Sequence, residues 1–185
     1  MPRYMGGKHR LAKHLVDAIA VEVGSVDCWV EPFVGGGSVA AAAVQRFGCD
    51  LVLSDVDPHA AVLWDRSTGF EWPDDAVFSE DDWRRLREAG AVDKLTALAA
   101  FGASFGGKKW DGFARGASRD FFAEGVRGWR RKFDAMSAAS LATSECLPYW
   151  SVVPPAGSVV YCDPPYAGTT GYASGEFDHA RFYAW

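Results

Sequence analysis

The run Cys28-Trp29-Val30-Glu31-Pro32-Phe33-Val34-Gly35-Gly36-Gly37-Ser38 decides the fold. Its first residues, from Asp27 to Glu31, are short and apolar and read as a strand. Pro32 cannot extend a hydrogen-bonded ladder, so the chain leaves the sheet there. The glycines that follow permit a tight turn and close approach of a ligand to the backbone. Ser38 suits the first turn of an alanine-rich helix that runs to Phe47 and closes at Gly48. A second apolar run, Asp50 to Asp55, ends in an acid. Strand, glycine loop, helix and strand together make the βαβ unit of a dinucleotide-type sheet. Asp55 lies about 20 residues beyond the loop, where such folds place the carboxylate that grips a ribose. The spacing is not G-x-G-x-x-G, and no Lys-Ser or Lys-Thr follows Gly37 as in a Walker loop. The expected ligand therefore carries a ribose but no pyrophosphate.

Towards the C-terminus the same grammar recurs. Ser158-Val159-Val160-Tyr161-Cys162 reads as a buried parallel strand, and Asp163-Pro164-Pro165-Tyr166 stops it. A carboxylate, free carbonyls and an aromatic ring then meet at a strand's carboxyl end, where open α/β sheets bind ligands. An exocyclic amine on a nucleobase is a poor nucleophile, because its lone pair is delocalised into the ring. The Asp163 carboxylate and the Pro164 carbonyl are two acceptors able to grip its hydrogens, and the carboxylate stabilises positive charge developing on the nitrogen. Tyr166 can stack on an extruded base. A plain strand end with a Pro-Pro turn uses the same residues, so the rest of the chain has to decide.

On the N-terminal side, Tyr4-Met5-Gly6-Gly7-Lys8 precedes an amphipathic helix expected over Lys8 to Val23, with Gly24 as its cap. Past Asp55, Val56-Asp57-Pro58-His59 opens a short helix through Trp64, with His59 read as a surface or capping residue. Helices are also expected from the cap at Ser79 to Ala89, from Asp93 to Ala103 and from Arg119 to Met136. On the last of these Phe122, Val126, Trp129 and Phe133 form an apolar stripe for the core. Ala138 to Pro155 reads as a looser connection, and Ala167 to Tyr172 as a flexible polar loop. A last helix starts at Asp178.

Net charge is −5, yet Lys108 to Lys132 carries eight basic and three acidic residues, a local +5 that leaves −10 elsewhere. Glycines and aromatics interleave with these cations. Lys108, Lys109, Trp110, Arg115, Arg130 and Arg131 are accordingly candidates for contact with phosphates and unstacked bases. The four cysteines, Cys28, Cys49, Cys146 and Cys162, show no C-x-x-C pairing and read as buried free thiols of a reducing, cytoplasmic compartment. No metal is expected. No apolar run is long enough to span a membrane, and the N-terminus has no signal-peptide core.

Four stretches, Tyr4-Met5-Gly6-Gly7-Lys8, Glu31 to Ser38, Ser54-Asp55-Val56-Asp57 and Asp163-Pro164-Pro165-Tyr166, resemble in order the motifs of the Dam-type DNA adenine methyltransferases, the alpha-ordered group of amino-methyltransferases. The resemblance implies a Rossmann-like, doubly wound sheet of the class I methyltransferase type, with S-adenosylmethionine as methyl donor and double-stranded DNA as substrate. It implies that Tyr4, Lys8, Phe33, Gly35, Asp55 and Asp163 contact the cofactor, and that Asp163, Pro164 and Tyr166 hold a flipped adenine. The catalytic domain is then 1–64 with 147–185, and 65–146 is a mostly helical target-recognition insertion. Members of the family continue past the catalytic motif, so the sheet is expected to be incomplete at the C-terminus, with a further segment or a restriction partner as candidate partners. Three other readings share parts of the pattern: a ribosomal-RNA amino-methyltransferase, a cytosine amino-methyltransferase, and a remnant that binds DNA or cofactor without turnover. The 126 positions between Gly37 and Asp163 favour a DNA enzyme with an insertion.

Overall fold

The computed structural model describes residues 4–67, 69–73, 77–166 and 177–185. The expected loop from Ala167 to Tyr172 lies outside the described residues.

The chain opens with α1 (Ala12–Val23), β1 (Cys28–Glu31), α2 (Ser38–Phe47), β2 (Asp50–Asp55) and α3 (Pro58–Trp64). Then come α4 (Glu80–Ala89), α5 (Lys94–Gly102), α6 (Phe121–Met136), β3 (Ala142–Cys146), β4 (Val159–Val160) and α7 (His179–Ala184). The strands form one parallel sheet in the order β3-β2-β1-β4. This is an α/β fold with a Rossmann-like parallel sheet. Trp29 and Val30 of the central strand are fully buried, as a strand flanked on both sides must be. The Tyr161 N–H continues the β4 pairing to the Val30 carbonyl at 2.8 Å. All the paired strands run parallel, so the ends of β1, β2 and β4 bring Glu31, Asp55 and Asp163 to one rim.

Local chemistry sets most helix starts. Asp57, Asp93 and Asp120 each accept a backbone N–H at the head of α3, α5 and α6, and Ser79 with Asp82 forms a reciprocal capping box on α4. The first helix begins at Ala12 rather than Lys8: no side chain caps it, and residues before Ala12 form a turn closed on the Lys8 carbonyl.

The connection from Ala138 to Pro155 is where the structure departs most from the sequence reading. It contains β3, paired along its whole length with β2, so residues 142–146, counted above with the insertion, lie in the sheet. No residue of Ala142-Thr143-Ser144-Glu145-Cys146 is fully buried, so an edge strand of this composition leaves no hydrophobic pattern to read. Helices α5 and α6 pack on each other and against α3 and α2 respectively. Phe122, Val126 and Trp129 of the stripe are buried in the same apolar cluster as Trp29 and Trp64, each contributing about 2–3 kcal/mol of burial. The four cysteines are free, but only Cys49 is buried and Cys146 is exposed, because the β3 edge is open. His59 is not at the surface. It is 8% exposed, with Nε2 3.1 Å from the Ala91 carbonyl. Among the described residues, no helix is long and apolar enough to cross a membrane.

Candidate active site

A cavity of about 280 Å³ opens at the carboxyl rim of the sheet. Its floor is the glycine loop between β1 and α2, and its walls carry the 4–8 stretch, Asp55, Tyr149, Trp150, Tyr161 and Asp163.

The loop is gripped from behind. The ring of Tyr4 lies against Gly35 and Gly36 and packs on Phe101 at 4.9 Å. Trp64 Nε1 donates to the Gly35 carbonyl at 3.0 Å, and Lys132 Nζ to the Gly36 carbonyl at 2.5 Å. Gly37 has φ +57, a left-handed conformation that turns the loop into α2.

Asp55 accepts from the Gly35 N–H and the Asp57 N–H, both at 2.9 Å. Burial pushes its carboxyl up to about 6, outweighing those two donors. Two carboxylate oxygens accept more than two hydrogen bonds, so acceptor capacity remains for a ligand.

Asp163 is the junction of the opposite wall. Lys8 Nζ donates to its Oδ2 at 2.5 Å and Tyr166 Oη to its Oδ1 at 3.0 Å. The Lys8 ammonium also lies 5.0 Å from the Tyr166 ring centre. Burial alone would lower the Lys8 pKa, but the hydrogen bonds to Asp163 and Tyr166 raise it, so Lys8 stays charged. Phe33 packs edge-on against Phe177 and Phe182, and is tilted on Tyr149 at 5.4 Å. Pro164 and Tyr166 stand beside the cavity rather than in its lining, and Tyr166 is 53% exposed.

The basic candidates divide. Lys109 reaches back to Asp57 at 2.6 Å, both side chains largely covered, and so ties the 104–116 loop to the tip of β2. Trp110 packs on Trp83 at 5.4 Å. Lys108, Arg115, Arg130 and Arg131 reach the outer surface, with Lys108 beside Asp111 and Arg115 on Glu80.

Several site residues escaped the sequence reading. Glu31 lines the cavity, and burial raises its carboxyl to about 8 despite the Trp29 indole N–H at 2.8 Å. Tyr149 and Ser38 also line it, and their hydroxyls have no hydrogen-bond partner among the described residues. Glu31 and Ser38 flank the glycine loop, a signal that was available. Tyr149 sits in a stretch with no local pattern.

A glycine loop after β1, an acid at the tip of β2 and an acid after β4, on a parallel sheet of this order, define a Rossmann-like methyltransferase scaffold. Residues 4–71 match the family described as D12 class N6 adenine-specific DNA methyltransferase, 68 of the 185 residues. The match takes in Tyr4, Lys8, the glycine loop and Asp55, bears out the resemblance over that span, and stops short of Asp163. That family is described as adenine-specific in its action on DNA, and the match spans just over a third of this chain. No curated protein matches the chain.

Proposed function

We propose that the chain transfers a methyl group from S-adenosylmethionine to the exocyclic amine of an adenine flipped out of duplex DNA. The observation that carries this reading is the meeting of Asp163 with Asp55 and Lys8 around one cavity. The residues fit the cofactor: Asp55 offers acceptors for a ribose diol, Tyr149 and Ser38 offer unpartnered hydroxyls, and Phe33 with Tyr149 forms an aromatic wall. Bound there, the cofactor supplies an electrophilic methyl group on sulfur.

The chain's own part follows from the wall around Asp163. Its carboxylate and the Pro164 carbonyl accept hydrogen bonds from the two amine N–H groups, drawing the nitrogen towards tetrahedral geometry and stabilising its developing charge. The N–CH3 bond forms as the S–CH3 bond breaks, and the nitrogen then gives up one proton to solvent. Lys8 and Tyr166 hold the carboxylate in place before the base arrives. Tyr166 stacks on the base once its hydroxyl leaves Asp163, which offsets part of the few kcal/mol that flipping costs. Incubation with methyl-labelled cofactor and duplex DNA, followed by digestion to nucleosides, should yield label on N6 of adenine. Label on cytosine, on RNA alone, or nowhere rejects the reading.

Asp55 predicts a pH dependence. A protonated Asp55 loses acceptor capacity towards the ribose. With its pKa raised to about 6, cofactor affinity should be full above about pH 7 and fall as pH drops through 6. Calorimetric titration should show a Kd about tenfold weaker at pH 5 than at pH 7.5. An Asp55→Asn variant, weaker throughout, should lose that slope.

The outer face of α6 is proposed to lie along the DNA backbone. Reversing Arg130 and Arg131 to Glu should weaken duplex binding by at least about tenfold and reduce the slope of log K against log salt by about two. An unchanged slope in a fluorescence-anisotropy salt series would assign both residues to a solvated surface.

A further inference from the structure

The helix that presents arginines outward also sends a lysine inward. On α6, Arg127, Arg130 and Arg131 are exposed, while Trp129 of the same helix is fully buried. Lys132 crosses from this helix to the glycine loop, 96 positions earlier in the chain, and donates to the Gly36 carbonyl at 2.5 Å with its ammonium 5.0 Å from the Trp129 ring centre. The neighbouring Gly35 carbonyl is taken by Trp64 Nε1, and Trp64 itself packs on Trp129 at 5.3 Å. Two successive carbonyls of the loop are thus held by donors that share one aromatic cluster. Lys132 itself does not line the cavity.

We infer that Lys132 is a positioning residue for the cofactor loop: it fixes the Gly36 peptide so that the loop presents one conformation to the cavity. The inference rests on the reading of that cavity as the cofactor site. It also makes the recognition segment part of the cofactor machinery, since the loop's shape depends on a side chain supplied by α6. The chemistry favours a deliberate contact. A lysine ammonium is strongly hydrated and costs free energy to cover, and burial here lowers its pKa to about 8 even though the nearby Glu31 acts in the opposite sense. A simple packing role would be met at lower cost by Met or Leu.

Two measurements on Lys132→Met and Lys132→Arg test the inference: hydrogen exchange in the ligand-free protein, and calorimetric binding of S-adenosylmethionine. For Lys132→Met, amide exchange between Phe33 and Ser38 should accelerate about tenfold while α1 and α5 keep wild-type protection. The cofactor Kd should rise about tenfold, with the kinetic effect falling on KM for the cofactor rather than on kcat. Lys132→Arg, which keeps the donor, should recover most of both. Unchanged loop exchange and unchanged Kd in Lys132→Met would overturn the inference. Acceleration spread over every helix in both variants would overturn it too, by making Lys132 merely structural. A locally loosened loop in a protein that binds no cofactor, wild type included, would reject the cofactor reading while upholding the positioning role.

Discussion

Asp163→Ala should lower methyl transfer at least about a thousandfold and leave the fold intact. Removal of a single preorganised group that stabilises charge developing in the transition state typically costs 10²–10³ in kcat. Asp163 in addition holds Lys8 and Tyr166, so both lose their common anchor when the carboxylate goes. The cost in stability is small, because Lys8 and Asp163 side chains keep 18% and 21% of their surface in contact with solvent, and water can replace the lost partner. Single-turnover assays alongside a thermal melt separate the two effects. Turnover within tenfold of wild type would show that the carboxylate does not act on the amine.

Gly37→Ala should be the most destabilising single-methyl change in the loop, by about 3 kcal/mol or more. Two penalties coincide there. The residue sits at φ +57, and an added Cβ would lie 2.4 Å from the Trp64 ring, a contact that real structures do not contain. Trp64 cannot step aside, because it is 2% exposed and its indole N–H is committed to Gly35. Gly48→Ala is the control. That glycine also has positive φ, +67, but its Cβ would enter open space, so the expected cost is about 1 kcal/mol. For a chain of this length the difference should separate the two melting temperatures by about 4–8 °C. Equal melting temperatures would mean that the loop does not press on Trp64.

How much of this was readable beforehand depended on how local each signal was. Helix α2 and strand β2 agree with the sequence reading to the residue, because glycine caps and short apolar runs mark their ends within the segment itself. The cap at Ser79 and the start of α5 at Asp93 were legible for the same reason. Strand β3 was not, since an edge strand bearing Thr, Ser and Glu reads like a loop until its partner β2 is known. Within the site, Tyr4, Lys8, Asp55 and Asp163 lie in recognisable stretches, and the fold brings them together. Lys109 shows the limit of a composition argument: in a basic, glycine-rich segment it reads as a phosphate contact, yet its ammonium is committed to Asp57, 52 positions away. Lys132 and Tyr149 depend wholly on tertiary packing and leave no trace in the local pattern.

The whole account turns on one cavity holding the methyl donor between Asp55 and Asp163. Ultraviolet cross-linking of methyl-labelled S-adenosylmethionine to the protein, followed by peptide mapping, tests this most directly. The expected result is label on peptides that carry Tyr4, the Glu31–Ser38 loop, Tyr149 or Tyr161, removed by an excess of unlabelled cofactor. Label confined to peptides that do not line this cavity, or label that unlabelled cofactor does not displace, would contradict it.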